Sequence, residues 1–230
     1  MNVAIVVAAG KGTRLGGNRP KQFLELDGIP VIIRTLGQFE RCREIEEGVV
    51  VLPAPEFEET AAWFPSVAKE FGLRKPWRTV AGGTTRAQSV QRGLAVAGKA
   101  ELVAIHDGVR PFVTPEEIGR VLTAARTTGA AILVAPVADT IKEIRNGRVV
   151  RTLPRINLRR ALTPQCFRFD LLKQAYDQLT EIEGEDIEVT DDCQLVERLG
   201  IEIVAVEGSA RNIKITGAED LVLGEALLKL

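Results

Sequence analysis

Residues Val3 to Ala8 form a short apolar, β-branched run that ends in Ala9-Gly10 and passes into a loop rich in glycine and positive charge. Such a run reads as a buried strand feeding a loop. Further strands are predicted at Gly48–Leu52, Arg78–Ala81, Leu102–Ile105, Ala131–Val134 and Ile201–Val206. Helical periodicity covers Val31–Glu40, Pro55–Phe71, Arg86–Ala97, Pro115–Thr128, Phe169–Leu179, Asp191–Leu199 and Ala218–Leu228. Strands alternating with helices of this length predict an α/β fold, a mostly parallel sheet covered by helices on both faces. One segment breaks the alternation. Asn146-Gly147 separates the short β-prone runs 140–145 and 148–152, and both residues tolerate the positive φ of a type I′ turn. A β-hairpin arm, inserted over residues 137–157 of a single domain spanning 1–230, is therefore expected. Its few apolar residues are too few to cover a core, so it should pack on something else.

Composition excludes several classes. The 230 residues are 45% hydrophobic and 27% charged, which rules out disorder, and the net charge of -1 offers no delocalised field for nucleic acid or membrane. No apolar stretch approaches the ~20 residues a membrane span needs. Lys11 and Arg14 follow the first apolar run, where a signal peptide would place its basic residues before it, so a cytoplasmic protein is expected. Cys42, Cys166 and Cys193 are odd in number, far apart and without zinc spacing, and are read as reduced and structural.

The first loop carries the chemistry. From Gly10 to Leu24 it holds Lys11, Arg14, Arg19 and Lys21 and no acidic residue, a local anion trap in a near-neutral chain. In open α/β sheets, ligands bind beyond the carboxyl ends of the strands, where glycines let backbone N–H groups approach phosphate. It is not a Walker A loop, because Asn18 and Arg19 follow Gly17 where Lys and a hydroxyl are needed. Nor is it a dinucleotide fingerprint, since Leu15 occupies the third glycine position and Pro20 limits the following helix.

The stretch AAGKGTRLGG…RPKQF resembles the nucleotide-binding signature of the sugar-phosphate nucleotidyltransferases, and its Pro-Lys-Gln form that of the cytidylyltransferases. Four more matches follow in order: GGTTRAQSV (82–90), HDGVRPF (106–112), LTPQCF (162–167) and RNIKIT (211–216). The ordered set resembles the 2-C-methyl-D-erythritol 4-phosphate cytidylyltransferase family. The resemblance implies a glycosyltransferase-A-like fold that transfers CMP from CTP to a polyol phosphate, with Mg²⁺ held mainly through the CTP phosphates and no metal site built from protein ligands. Ribitol 5-phosphate cytidylyltransferase shares the motifs, and a non-catalytic nucleotide-binding regulator is the rival from another class. Such a regulator would be free to lose Arg14, Lys21, Asp107 or Lys214, and all are present.

Attack of a phosphate oxygen on the α-phosphorus joins two anions, so charge neutralisation and alignment dominate. Arg14 and Lys21 suit that task, while a phosphate monoester with a second pKa of about 6 needs no general base. His106 is accordingly expected to be structural. The resemblance implies nucleotide contacts from Ala8, Ala9, Gly10, Gly12, Gly82, Gly83, Arg86, Ser89 and Asp107. It implies substrate contacts from Asp107, Thr140, Arg155, Thr163, Thr190 and Lys214, with Arg155 and Lys214 also counted as catalytic. Lys214, in the run Ile213-Lys-Ile215, reads as a central-strand lysine that needs an anionic partner. The resemblance also implies a homodimer with exchanged arms, in which Thr140 and Arg155 complete the other subunit's site.

Overall fold

The computed structural model describes residues 1–10, 23–184 and 189–230; Gly12, Arg14 and Lys21 lie outside the described residues. Strand β1 (Asn2–Val7) is followed by a small hairpin of β2 (Glu25–Leu26) and β3 (Ile29–Pro30), then α1 (Val31–Arg41), β4 (Glu47–Leu52), α2 (Phe57–Glu70) and β5 (Trp77–Ala81). The middle of the chain forms α3 (Arg86–Ala97), β6 (Leu102–Asp107), α4 (Pro115–Thr128), β7 (Ala130–Pro136), β8 (Ile141–Arg145) and β9 (Arg148–Leu153). The last third supplies β10 (Arg159–Arg168), α5 (Phe169–Asp177), α6 (Leu179–Gly184), α7 (Asp192–Glu197), β11 (Val204–Glu207) and α8 (Ala218–Leu227).

Seven strands form one sheet in the order β11-β7-β10-β6-β1-β4-β5. All neighbours are parallel except β10, which runs antiparallel to both β6 and β7. The central strands β1, β4 and β6 are buried on both faces. In β1, Ala4 and Val6 face a core shared with Leu36, Phe39 and Leu122, while Val3 and Ile5 face a second core with Val90, Leu94 and Leu172. This period-two division is what allows an almost continuous apolar run to serve a doubly covered sheet.

Strand β10 is absent from the sequence expectations, and its physical reason is Pro164. Proline lacks the N–H that a ladder needs, which argues against a central strand. The chain accommodates it with a register shift between Ala161 and Gln165, so Pro164 sits at an irregularity in the ladder. Other boundaries also differ. The last strand begins at Val204 rather than Ile201, and the helix begun at Phe169 stops at Asp177. Lys214 is not on a central strand: it lies in the loop between β11 and α8, tied to the loop after β6 by the bond from Ile215 N to Val109 O.

A buried hydrogen-bond chain joins β10 to β6. His106, fully buried, places Nε2 3.1 Å from the Arg110 carbonyl and Nδ1 2.9 Å from Thr163 Oγ1. A carbonyl can only accept, so Nε2 carries the proton and Nδ1 accepts from the Thr163 hydroxyl. That hydroxyl in turn accepts from Asp107 N at 3.2 Å. His106 is thus a buried link between β6 and β10.

Burial pushes the His106 ring down from 6.5 to about 4. Between those values the unfolded chain takes up a proton that the folded protein refuses, so stability present above pH 6.5 is lost as pH falls toward 4. The loss should total about 3 kcal/mol. Urea midpoints measured between pH 6.5 and 5, above the range where carboxylates titrate, should fall for the natural protein and fall markedly less for His106→Gln; an unchanged slope in the variant contradicts this account.

Candidate active site

The carboxyl ends of β1, β4, β5 and β6 open onto one cleft of about 560 Å³, a size suited to a nucleotide. Its lining includes Ala8, Ala9, Gly10, Gly82, Gly83, Arg86, Ser89, Asp107 and Lys214. These are all the described members of the expected nucleotide set, together with Lys214. They come from segments as much as two hundred residues apart, brought together by the parallel strand order.

Two glycines are required by packing. A Cβ on Gly82 would stand 2.3 Å from Ala9 Cβ, and one on Gly83 would stand 2.4 Å from Gln88 Cβ. Both would drive β5's exit into its neighbours, so glycine here sets the shape of the cleft wall. Helix α3 begins beside them. Thr85 caps it by accepting from Gln88 N, and Ser89 Oγ donates back to Thr85 O while accepting from Gly83 N. Ser89 is buried and consequently braces the glycine turn at the cleft wall.

Asp107 is the electrostatic centre. It is 6% exposed, and its carboxylate meets Lys214 Nζ at 2.9 Å, Arg110 Nε at 3.2 Å and Arg86 Nε at 3.3 Å. Burial alone would raise its pKa, but the charges of Arg86, Lys214 and Arg110 hold it well below the usual carboxylate range. It therefore stays ionised at any working pH. The Arg86 guanidinium is also shared: Nη2 lies 2.8 Å from Asp192 Oδ2, and Asp192 Oδ1 accepts from the Tyr176 hydroxyl at 2.5 Å. Burial lowers the Arg86 pKa, but the two carboxylates more than compensate and raise it.

Several of these residues lie beyond the sequence expectations. Arg110 stands inside the HDGVRPF match without being singled out there, and it bonds Asn212 O at 3.0 Å, which links the β6 exit to the segment bearing Lys214. Asn212 Nδ2 donates to Thr163 O at 2.9 Å. Asp192, Tyr176, Gln165 and Arg92 also stand outside the expected set; Arg92 Nη1 holds the Gly82 carbonyl at 2.6 Å. Sequence carried a signal for Arg110 in its motif, but none for Tyr176.

Other expected residues lie elsewhere. Thr163 is buried beneath Asp107, with its hydroxyl engaged by Asp107 N and His106. Thr190 is exposed and bonded to Gln194, outside the cleft lining. Thr140 and Arg155 are exposed at the base of the β8–β9 hairpin, with Arg155 bonded to the Ala138 carbonyl. Neither lines the cleft of its own chain.

Among the described residues there is no cluster of three or more His, Cys, Asp or Glu side chains that could hold a metal ion. Asp107 is the one carboxylate among the described residues lining the cleft. That donor set fits a cation carried on ligand phosphate oxygens rather than one caged by protein.

The family model described as 2-C-methyl-D-erythritol 4-phosphate cytidylyltransferase matches residues 2–230. The enzyme of that name from Bacillus licheniformis is 40% identical over 230 residues, covering 100% of this chain and 96% of its own. Its namesake from Syntrophus aciditrophicus is 42% identical over 229 residues, covering 99% and 95%. The crystal structure of 4-diphosphocytidyl-2C-methyl-D-erythritol synthase from Anaerococcus prevotii superposes with a TM-score of 0.86 at 31% identity, covering 100% of this chain and 96% of that one. The cytidylyltransferase structure from Thermus thermophilus gives 0.75 at 34% identity, covering 98% of each chain. With described residues of four of the five motifs, from Ala8 to Lys214, lining one cleft, the chain belongs to the 2-C-methyl-D-erythritol 4-phosphate cytidylyltransferase family.

Proposed function

We propose that the cleft binds CTP and a methylerythritol phosphate and that the enzyme transfers CMP between them, in non-mevalonate isoprenoid precursor synthesis. An oxygen of the 4-phosphate attacks the α-phosphorus; a new P–O bond forms as the bond to the β-phosphoryl oxygen breaks, and pyrophosphate departs with that electron pair. The observation that carries this reading is the convergence of Gly82, Gly83, Arg86, Asp107 and Lys214 on one cleft in a chain matched end to end by the family. The nucleophile arrives as a dianion, so no general base is required. The complete burial of His106 accords with this, since its ring has no access to substrate.

In this reading Arg14 and Lys21, from the basic loop, neutralise charge on the α-phosphate and the departing pyrophosphate. The backbone of Ala8, Ala9 and Gly10 approaches the triphosphate, and Lys214, held at the cleft by Asp107, attracts the incoming phosphate. Mg²⁺, bound to the phosphate oxygens, would supply further charge neutralisation. Cytoplasmic CTP is the donor, and the three buried free cysteines suit a reducing compartment.

Residues 137–157 form the inserted arm, and the working enzyme is a homodimer with arms exchanged. The β8–β9 hairpin forms a two-stranded sheet of its own. Its turn residues Asn146 and Gly147 have φ of 51° and 74°. Ile144, Val149, Val150 and Ile156 are 50% to 77% exposed, apolar surface that a second chain would cover. Thr140 and Arg155 would then reach the partner's cleft, since they do not line their own.

Two outcomes are expected. Pyrophosphate release should be fastest with CTP and methylerythritol 4-phosphate; equal turnover with UTP or GTP, or with ribitol 5-phosphate, contradicts the assignment. Mixing inactive Lys21→Ala and Arg155→Ala subunits after reversible dissociation should restore roughly a quarter of natural activity, because each heterodimer gains one intact core facing one intact arm. Confirmed exchange without recovery would refute arms acting in trans.

A further inference from the structure

Arg86 bridges two carboxylates, and strand β10 controls both. Thr163 holds Asp107 through its backbone N–H. Two residues on, Gln165 Oε1 accepts from Asp192 N at 2.9 Å and Cys193 N at 3.1 Å, and its Nε2 donates to Asp191 Oδ2 at 3.0 Å. The start of α7 is thereby pinned to the central sheet. Asp192 itself is fully buried and does not line the cleft. Both of its oxygens are occupied, one by Tyr176 and the other by Arg86.

A buried carboxylate with no exit to solvent is costly unless it serves a fixed partner. Arg86 is that partner, and it stands in the first turn of α3, where a cation is disfavoured by the helix dipole. Asp107 alone cannot determine where the guanidinium points, because Lys214 and Arg110 compete for the same carboxylate. We propose that Asp192, oriented by the Tyr176 hydroxyl, is a positioning residue that fixes the Arg86 guanidinium in the cleft for the nucleotide. This rests on the reading of Arg86 as a nucleotide contact. Removing the carboxylate charge, or the phenol that orients it, leaves Arg86 free to swing fully onto Asp107 and away from CTP.

The test compares Asp192→Asn, Tyr176→Phe, Arg86→Ala and the Asp192→Asn/Arg86→Ala double variant, using CTP titration calorimetry and steady-state kinetics with Mg²⁺. Asp192→Asn should weaken CTP binding about tenfold and Tyr176→Phe about threefold, a fraction of what a hydrogen bond to a charged group carries, because only the misplacement of Arg86 is read in CTP binding. The KM for the polyol phosphate should hold in both. A merely structural role would lower the thermal midpoint and the active fraction without moving the CTP constant. If Asp192→Asn fails to fold, Tyr176→Phe carries the measurement, because phenylalanine fills the same buried space. In the Arg86→Ala background, Asn at position 192 should cause no further loss of CTP affinity. Additive losses, or an unchanged CTP constant in both single variants, would overturn the positioning role alone. Normal CTP affinity in Arg86→Ala would remove both the nucleotide reading of Arg86 and the proposal built on it.

Discussion

A carboxylate at the end of a central strand, nearly sealed from water, survives only if positive charge is brought to it. Asp107 occupies that position, and its compensation by Arg86, Arg110 and Lys214 explains why distant parts of the chain must meet. One cation comes from the first turn of α3, one from the loop directly after β6, and one from the segment before α8. The last two approaches are then locked by neutral hydrogen bonds. Gly108 N bonds Val7 O, Thr35 Oγ1 bonds Gly108 O, and Ile215 N bonds Val109 O. The result is a preorganised charge array at the place where a triphosphate would arrive, and such preorganisation is worth most in a partly dehydrated site.

Helix bounds were legible wherever local chemistry punctuates the chain. Helices α3 and α4 run Arg86–Ala97 and Pro115–Thr128, as the sequence predicts. Thr85 and Thr114 cap their starts, and Gly98 and Gly129 end them at φ of 70° and 95°. The β8–β9 hairpin was legible for the same reason, since Asn-Gly supplies the turn. Strand β10 was not. Pro164 speaks against a strand, and the tertiary ladder overrides it by shifting register.

The site divides along the same line. Gly82, Arg86, Asp107 and Lys214 were expected together because several motifs occur in family order, and the fold places all four in the lining of one cleft. Asp192 and Tyr176 were not, because their meaning lies in contacts that span 106 residues to Arg86 and 16 residues to each other. A lone Asp-Asp pair before a helix reads as a cap, and Asp191 does serve as one. Only the folded sheet shows that its neighbour turns inward. Glu117 is a similar case: it closes the capping box of α4 and also accepts from Ser209 N at 2.6 Å, anchoring the loop that leads to Lys214.

The central claim is therefore electrostatic: Asp107 remains a buried anion because three cations hold it there. Carboxyl-carbon NMR of selectively labelled Asp107 tests this directly. The account predicts no titration near pH 3.9, where an aspartate ordinarily protonates, and a shift of the midpoint upward when Arg86 is replaced by Gln. An Asp107 carboxyl that titrates in the ordinary range in the natural protein, unmoved by Arg86→Gln, would contradict it.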